Sequence, residues 1–173
     1  SYNEILVFKN LINKNFSKDH YIIFGINKLE KNTGLFYNSL LLVNNKLEII
    51  EQYNKRKLVP FGEFLPFENF LKKIGLKKIT EGVGSFKRGS KKNNIKISEM
   101  NILPLICYEV IFPSIIQQSS LDTNLVINIS EDAWFGDTIG PDQHYSKSIF
   151  RAIENGTFFL RSANKGVSAI ISN

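Results

Sequence analysis

The chain's single cysteine, Cys107, closes an apolar run over residues 101–107 and is followed by Tyr108 and Glu109. Ligands bind at the carboxyl ends of strands in open α/β sheets, and a thiol there has backbone N–H groups beside it, which suits a nucleophile and its oxyanion. The competing reading is a small buried hydrophobe, the usual state of a lone cysteine. A cysteine nucleophile paired with histidine would need His20 or His144. His20 precedes a strand-like run and His144 lies in the polar stretch 142–145. Nothing in the local pattern ties either to Cys107, and both read as surface or capping histidines.

A lysine with a carboxylate is the other option, and the loop over residues 55–66 carries Lys55 and Glu63 together. An ammonium near a thiolate favours its charged form and stabilises the oxyanion of a tetrahedral intermediate. Most of the 18 lysines must be solvated, so position alone does not single out Lys55. Glu63 is more distinctive. It sits between Gly62 and Phe64 in a loop bracketed by Pro60 and Pro66, which forbids a regular helix or a central strand there.

The elements that must position these groups follow from periodicity. Residues 4–13 space their apolar side chains as an amphipathic helix. Runs 21–27, 37–43 and 47–53 read as strands, with Asn44-Asn45 as a hairpin signal. Residues 67–75 allow a short helix, and 80–94, rich in Gly, Ser and Lys, read as an exposed loop. Beyond them follow a buried strand (101–107), a helix (112–119), a buried strand (125–130), a longer helix (141–155), and a closing strand pair (157–162 with 167–171). Strands alternating with helices predict an α/β or α-β sandwich.

The 173 residues suit one domain, 1–173, that needs neither disulfides nor a structural metal for stability. One cysteine excludes an internal disulfide and a CxxC zinc site. The net charge of +6 comes from 18 Lys and only 4 Arg, alongside 19 Asn and 4 Ala. This skew fits AT-rich codon drift better than a nucleic-acid surface, and the lysine clusters at 72–78 and 87–96 carry little aromatic interleaving for base stacking. No apolar run approaches the roughly 18 residues that span a bilayer. With no initiator Met and no signal-peptide pattern, and with a strand-like run ending the sequence, both ends read as cut from something longer.

Five motifs then converge. Tyr53-Asn54-Lys55-Arg56-Lys57-Leu58 resembles the lysine motif, and Leu105-Ile106-Cys107-Tyr108-Glu109 the cysteine motif, of the nitrilase (carbon-nitrogen hydrolase) superfamily. The loop 58–66, Asp132-Ala133-Trp134-Phe135-Gly136 and Arg161-Ser162-Ala163-Asn164-Lys165-Gly166 narrow the resemblance to the apolipoprotein N-acyltransferase family, over nearly all the chain from Tyr21 onward.

That resemblance implies a four-layer α-β-β-α sandwich, incomplete at both ends, and Glu-Lys-Cys chemistry without metal, nucleotide or other cofactor. Cys107 would take an acyl group from phospholipid as a thioester, and Lys55 would stabilise the oxyanion. Glu63 would support Lys55 or position substrate, Tyr108 and Glu109 would shape the wall beside the nucleophile, and Trp134 would support the site. The acceptor would be a diacylated apolipoprotein at the periplasmic face of a bacterial inner membrane, with no nucleic acid involved. Phe61, Phe64, Phe67, Phe70, Trp134 and Phe135 would line an acyl groove or dip into the interface, though Phe67 and Phe70 read more readily as core. Arg151, Glu154, Arg161 and Asn164 read as structural support.

Three departures accompany the resemblance. The family's upstream Pro-Glu base motif has no counterpart, Glu4 lacking its context, so the isolated chain is expected to be inactive. Lys57 replaces a histidine, and Glu131 replaces the Asn that commonly precedes the Asp-Ala-Trp motif. A soluble nitrilase-type amidase and a non-catalytic basic lipid- or nucleic-acid-binding module are the rival readings.

Overall fold

A computed structural model describes residues 2–67, 85–90, 94–117 and 122–172. Helix α1 (Tyr2–Asn15) leads into a meander of β1 (Tyr21–Glu30), β2 (Leu35–Asn44) and β3 (Ile49–Asn54), an antiparallel three-stranded sheet in that order. The Asn44-Asn45 hairpin forms as expected. The Asn44 side-chain carbonyl accepts from the N–H groups of Lys46 and Glu48 at 2.9 and 3.0 Å, an Asx turn that offsets the loss of ladder bonds there.

The second sheet has five strands in chain order: β4 (Ile95–Ile97), β5 (Met100–Ile106), β6 (Leu125–Glu131), β7 (Phe158–Asn164) and β8 (Ala169–Ile171). The central three run parallel and the edge strands pair antiparallel. Crossovers between the parallel strands carry α2 (Pro113–Gln117) and α3 (Gly140–Asn155), the latter with a proline in its first turn, where a missing N–H costs nothing. The expected helix 67–75 and most of the loop 80–94, with Phe70 and the lysines at 72–78, lie outside the described residues. Strand β4 was not anticipated, since three residues carry too little periodicity to register.

Two apolar cores hold the layers together. Leu40, Leu42 and Tyr53 of the small sheet meet Ile95, Ile97, Ile102 and Ile106 of the large one, with Cys107 packed at the margin. On the other face of the large sheet, Leu103, Leu105, Val126 and Phe159 pack on Ile115, Ile116 and Ala152 of α2 and α3. Leu41 and Val43, on the opposite face of β2, are buried too, so both sides of that central strand are covered. The alternation of inward residues along β2 and β5 thus specifies a helix–sheet–sheet–helix stack, with each fully buried aliphatic side chain contributing about 1.5–3 kcal/mol. Among the described residues no helix is long and apolar enough to cross a membrane.

Candidate active site

Parallel pairing of β5, β6 and β7 brings their carboxyl ends to one edge of the large sheet. Cys107 leaves β5 there with a φ of 49° and opens a 3-10 turn, Cys107–Ile111. A left-handed non-glycine residue is strained, and here the strain turns the chain sharply at the thiol. Cys107 is partly exposed and forms no disulfide.

Lys55 follows β3 on the small sheet. Its N–H donates to the Asn38 carbonyl at 2.8 Å, and its carbonyl accepts from Gly89 at 2.9 Å. A Cβ on Gly89 would lie 2.1 Å from the Asn54 carbonyl oxygen, so only glycine lets this strand of chain approach. The Lys55 side chain is only 1% exposed, and Nζ lies 2.9 Å from both oxygens of Glu63. Asn38 Nδ2 and the Val59 N–H donate to the same carboxylate at 2.7 and 2.8 Å. The proline-bracketed loop is closed by the Glu63 N–H to the Val59 carbonyl and the Phe61 N–H to the Phe64 carbonyl. Glu63 is therefore the direct ionic partner of Lys55, which the loop sequence alone had left between two roles.

Glu109 joins the two halves. Its carboxylate accepts from the backbone N–H groups of Arg56 and Lys57 at 2.7 and 3.0 Å and from the Tyr53 hydroxyl at 2.9 and 3.0 Å. It also accepts from the Ile106 N–H at 2.9 Å. The residues on either side of Lys55 are thus tied to the turn that carries Cys107. Burial pushes the Glu109 carboxyl up, against the donors from Ile106, Lys57, Arg56 and Tyr53, which favour its charged form. The Tyr53 hydroxyl is also pushed up, by burial first and then by the Glu109 charge.

Glu109 was expected to form a wall beside the nucleophile. It is instead fully buried, so it acts as a clamp. Tyr108 stacks edge-on against Phe112 at 5.1 Å, and Lys57, standing where a histidine was expected, lies 5.4 Å over the same Phe112 ring. Trp134 is 69% exposed and outside the core, as are Phe61, Phe67 and Phe135. Phe67 thus departs from its core expectation: it follows Pro66 at a φ of 49°, which turns it away from the sheets. Phe64 is half-buried beneath Arg88.

Behind the cysteine lies a buried polar group that sequence reasoning missed. His144 on α3 sits with Nε2 3.2 Å from the Cys107 carbonyl oxygen and Nδ1 2.9 Å from Asp132 Oδ1. Arg161 on β7 donates Nη2 to Asp132 Oδ2 at 2.6 Å and lies 3.1 Å from His144 Nδ1. It also reaches Asn128 Oδ1, Ser148 Oγ and the Val167 carbonyl. Burial raises the Asp132 carboxyl, but the bond from Ser130 and the charge and bond of Arg161 outweigh it, leaving the group below the usual carboxylate range.

His144 is therefore no surface or capping histidine. The available signal was the spacing His144, Ser148 and Ala152, polar and small residues on the inward stripe of a helix. His20 does behave as expected, exposed and bonded to the Ser17 hydroxyl at 2.8 Å. Arg161 is the structural support anticipated, Asn164 bonds Glu131 at 2.8 Å, and Arg151 pairs with Glu154 at 2.6 Å.

Comparison with known proteins matches residues 7–173 to the carbon-nitrogen hydrolase family. A Brucella suis protein named apolipoprotein N-acyltransferase is 41% identical over 138 residues, 79% of this chain and 26% of its own length. A Wigglesworthia glossinidia brevipalpis protein of the same name is 39% identical over 163 residues, 89% of this chain and 32% of its own length. The chain thus spans about a quarter to a third of these relatives.

Among solved structures, Saccharomyces cerevisiae Nit3, of branch 10 of the nitrilase superfamily, superposes with a TM-score of 0.67 at 20% identity, over 98% of this chain and 57% of its own. An amidase from Nesterenkonia sp. AN1, with the acetamide moiety of fluoroacetamide covalently added at its active-site cysteine, gives 0.65 at 17%, over 96% and 57%. The two-sheet stack, the strained cysteine at the end of β5 and the match across residues 7–173 agree: this chain belongs to the carbon-nitrogen hydrolase family.

Proposed function

We propose that this chain carries the nucleophile and oxyanion-binding groups of an acyltransferase that moves a fatty acyl group from phospholipid to the N-terminal S-diacylglyceryl cysteine of apolipoproteins. The observation that carries the chemistry is the Glu109 clamp, which ties the segment around Lys55 to the Cys107 turn. The choice of substrates rests on the name shared by the relatives.

In the first step the Cys107 thiolate attacks the ester carbonyl of the phospholipid. A C–S bond forms, the ester C–O bond breaks, and the lysophospholipid leaves with a proton. In the second, the acceptor's α-amino group attacks the thioester; a C–N bond forms, the C–S bond breaks, and the thiolate is regenerated as the amine gives up its proton. Lys55 stabilises both tetrahedral oxyanions with the N–H that its pairing with Glu63 leaves over. Glu63 holds the ammonium in place, and Tyr108 flanks the nucleophile.

The oxygens of Glu63 and Glu109 are already taken by donors, so neither is assigned as the base. A further carboxylate from outside these residues accepts the proton. The exposed Trp134, Phe61 and Phe67 suit a lipid interface, where aromatic side chains are favoured, and the site would face the periplasm at the inner membrane.

Mass spectrometry of the full-length protein incubated with phospholipid tests this. The expected result is an acyl mass on Cys107 that persists until a diacylated lipopeptide is added and is absent in Cys107→Ala. An intact site that acquires no acyl group overturns the reading, as does one that releases ammonia from small amides without transfer, which is the amidase outcome.

A further inference from the structure

We propose that His144 is a positioning residue for the nucleophile: a neutral imidazole carrying its proton on Nε2, which donates to the Cys107 carbonyl and holds the left-handed turn that presents the thiol. The inference rests on Cys107 being the nucleophile and adds to that reading a residue 37 positions further along the chain.

The Cys107 carbonyl is the hinge of the turn. Two side chains from the large-sheet side converge on it, His144 Nε2 at 3.2 Å from α3 and Asn128 Nδ2 at 3.5 Å from β6. The shorter contact is to the ring, so the imidazole is the main anchor of a strained residue that needs surrounding structure to persist.

The proton's place follows from what faces the ring. Asp132 Oδ1 (2.9 Å), Arg161 Nη2 (3.1 Å) and Ser130 Oγ (3.5 Å) all surround Nδ1, and the tilted Phe135 ring lies 5.5 Å away. Asp132 and Arg161 already neutralise one another at 2.6 Å. A proton added to His144 would bring an uncompensated charge into a site where the imidazole is 3% exposed and Asp132 and Arg161 not at all. The ring is therefore neutral. Arg161 has no lone pair to offer, so it uses Nδ1 as an acceptor, and the single ring proton is left on Nε2, facing a carbonyl that can only accept. Ser130 donates to Asp132 Oδ1 at 2.6 Å and eases the approach of that oxygen to Nδ1. This network fixes the tautomer of a histidine that in turn fixes the nucleophile.

The test uses the full-length protein with His144→Gln, whose amide nitrogen reaches the place of Nε2, and His144→Phe, which fills the same space without a donor. Cys107 alkylation by iodoacetamide reads the presentation of the thiol without needing the acyl reaction, so it fails independently of the proposed function. The Phe variant is expected to alkylate about tenfold more slowly, and the Gln variant within about threefold of wild type, as befits one lost or retained hydrogen bond. In wild type, 15N NMR is expected to give the Nε2–H tautomer at neutral pH. Equal alkylation in all three proteins overturns the proposal, as does a folded Gln variant as slow as Phe. A ring protonated at Nδ1 or at both nitrogens also overturns it, and that reading stands even where the Phe variant does not fold.

Discussion

Glu109 is the residue on which the two halves of the site depend. Its two oxygens receive three backbone N–H groups and the Tyr53 hydroxyl, so every neighbour is a donor. Glu109→Gln would turn an N–H toward one of those donors. The expected cost is about 2–4 kcal/mol in urea unfolding, with acyl-thioester formation falling as the Lys55 segment loosens. Removing Tyr53's hydroxyl (Tyr53→Phe) leaves three donors in place and should cost only about 1 kcal/mol. For the buried Lys55–Glu63 pair, Glu63→Gln keeps the shape and the bond from Asn38 but removes the counter-charge. Acylation of Cys107, followed by single-turnover mass spectrometry, should slow by about 10²–10³-fold if Lys55 is then misplaced as an oxyanion donor.

At the scale of elements, the loop joining β7 to β8 is built around Asp132. A Cβ on Gly166 would stand 2.2 Å from Asp132 Oδ2, so Gly166→Ala must push the carboxylate off Arg161. A loss of about 1–3 kcal/mol is expected, read as a lower thermal midpoint.

What could be read from sequence was local. Lys55, Glu63, Cys107 and Glu109 each sit in a short motif with its own neighbours, and the strand and helix order followed from periodicity. Strand ends moved by a few residues, as in β1, which runs on to Glu30, because bounds depend on a partner strand that sequence does not display. His144 and Tyr53 were not legible, since their importance lies in bonds to residues 37 and 56 positions away. Phe67 misled for the same reason: an aromatic side chain reads as core until the chain path is known.

For the whole molecule, acid is the informative variable. Burial first, and then the Arg161 charge, hold His144 below its ordinary pKa of about 6.5, while the nearby Asp132 charge and the Cys107 carbonyl oppose them. The unfolded chain therefore takes up a proton near that value that the native chain refuses, so this contribution to stability is intact above about pH 6.5 and declines as pH falls. Asp132, depressed in the folded state, adds a second loss below the ordinary aspartate range of about 4. Denaturant melts taken from about pH 7 down to about pH 2 should lose the first slope, and keep the second, in His144→Gln.

The ammonium is delivered by the three-stranded sheet and the thiol by the five-stranded one, with Leu40, Leu42, Ile102 and Ile106 forming the seam. On the proposed chemistry, a newly made or partly melted chain in which that seam has not closed would carry a sulfur with no cationic partner and be a poor thief of acyl groups. For the proposed acyl transfer, competence would arrive only with completed assembly, a built-in safeguard among abundant esters.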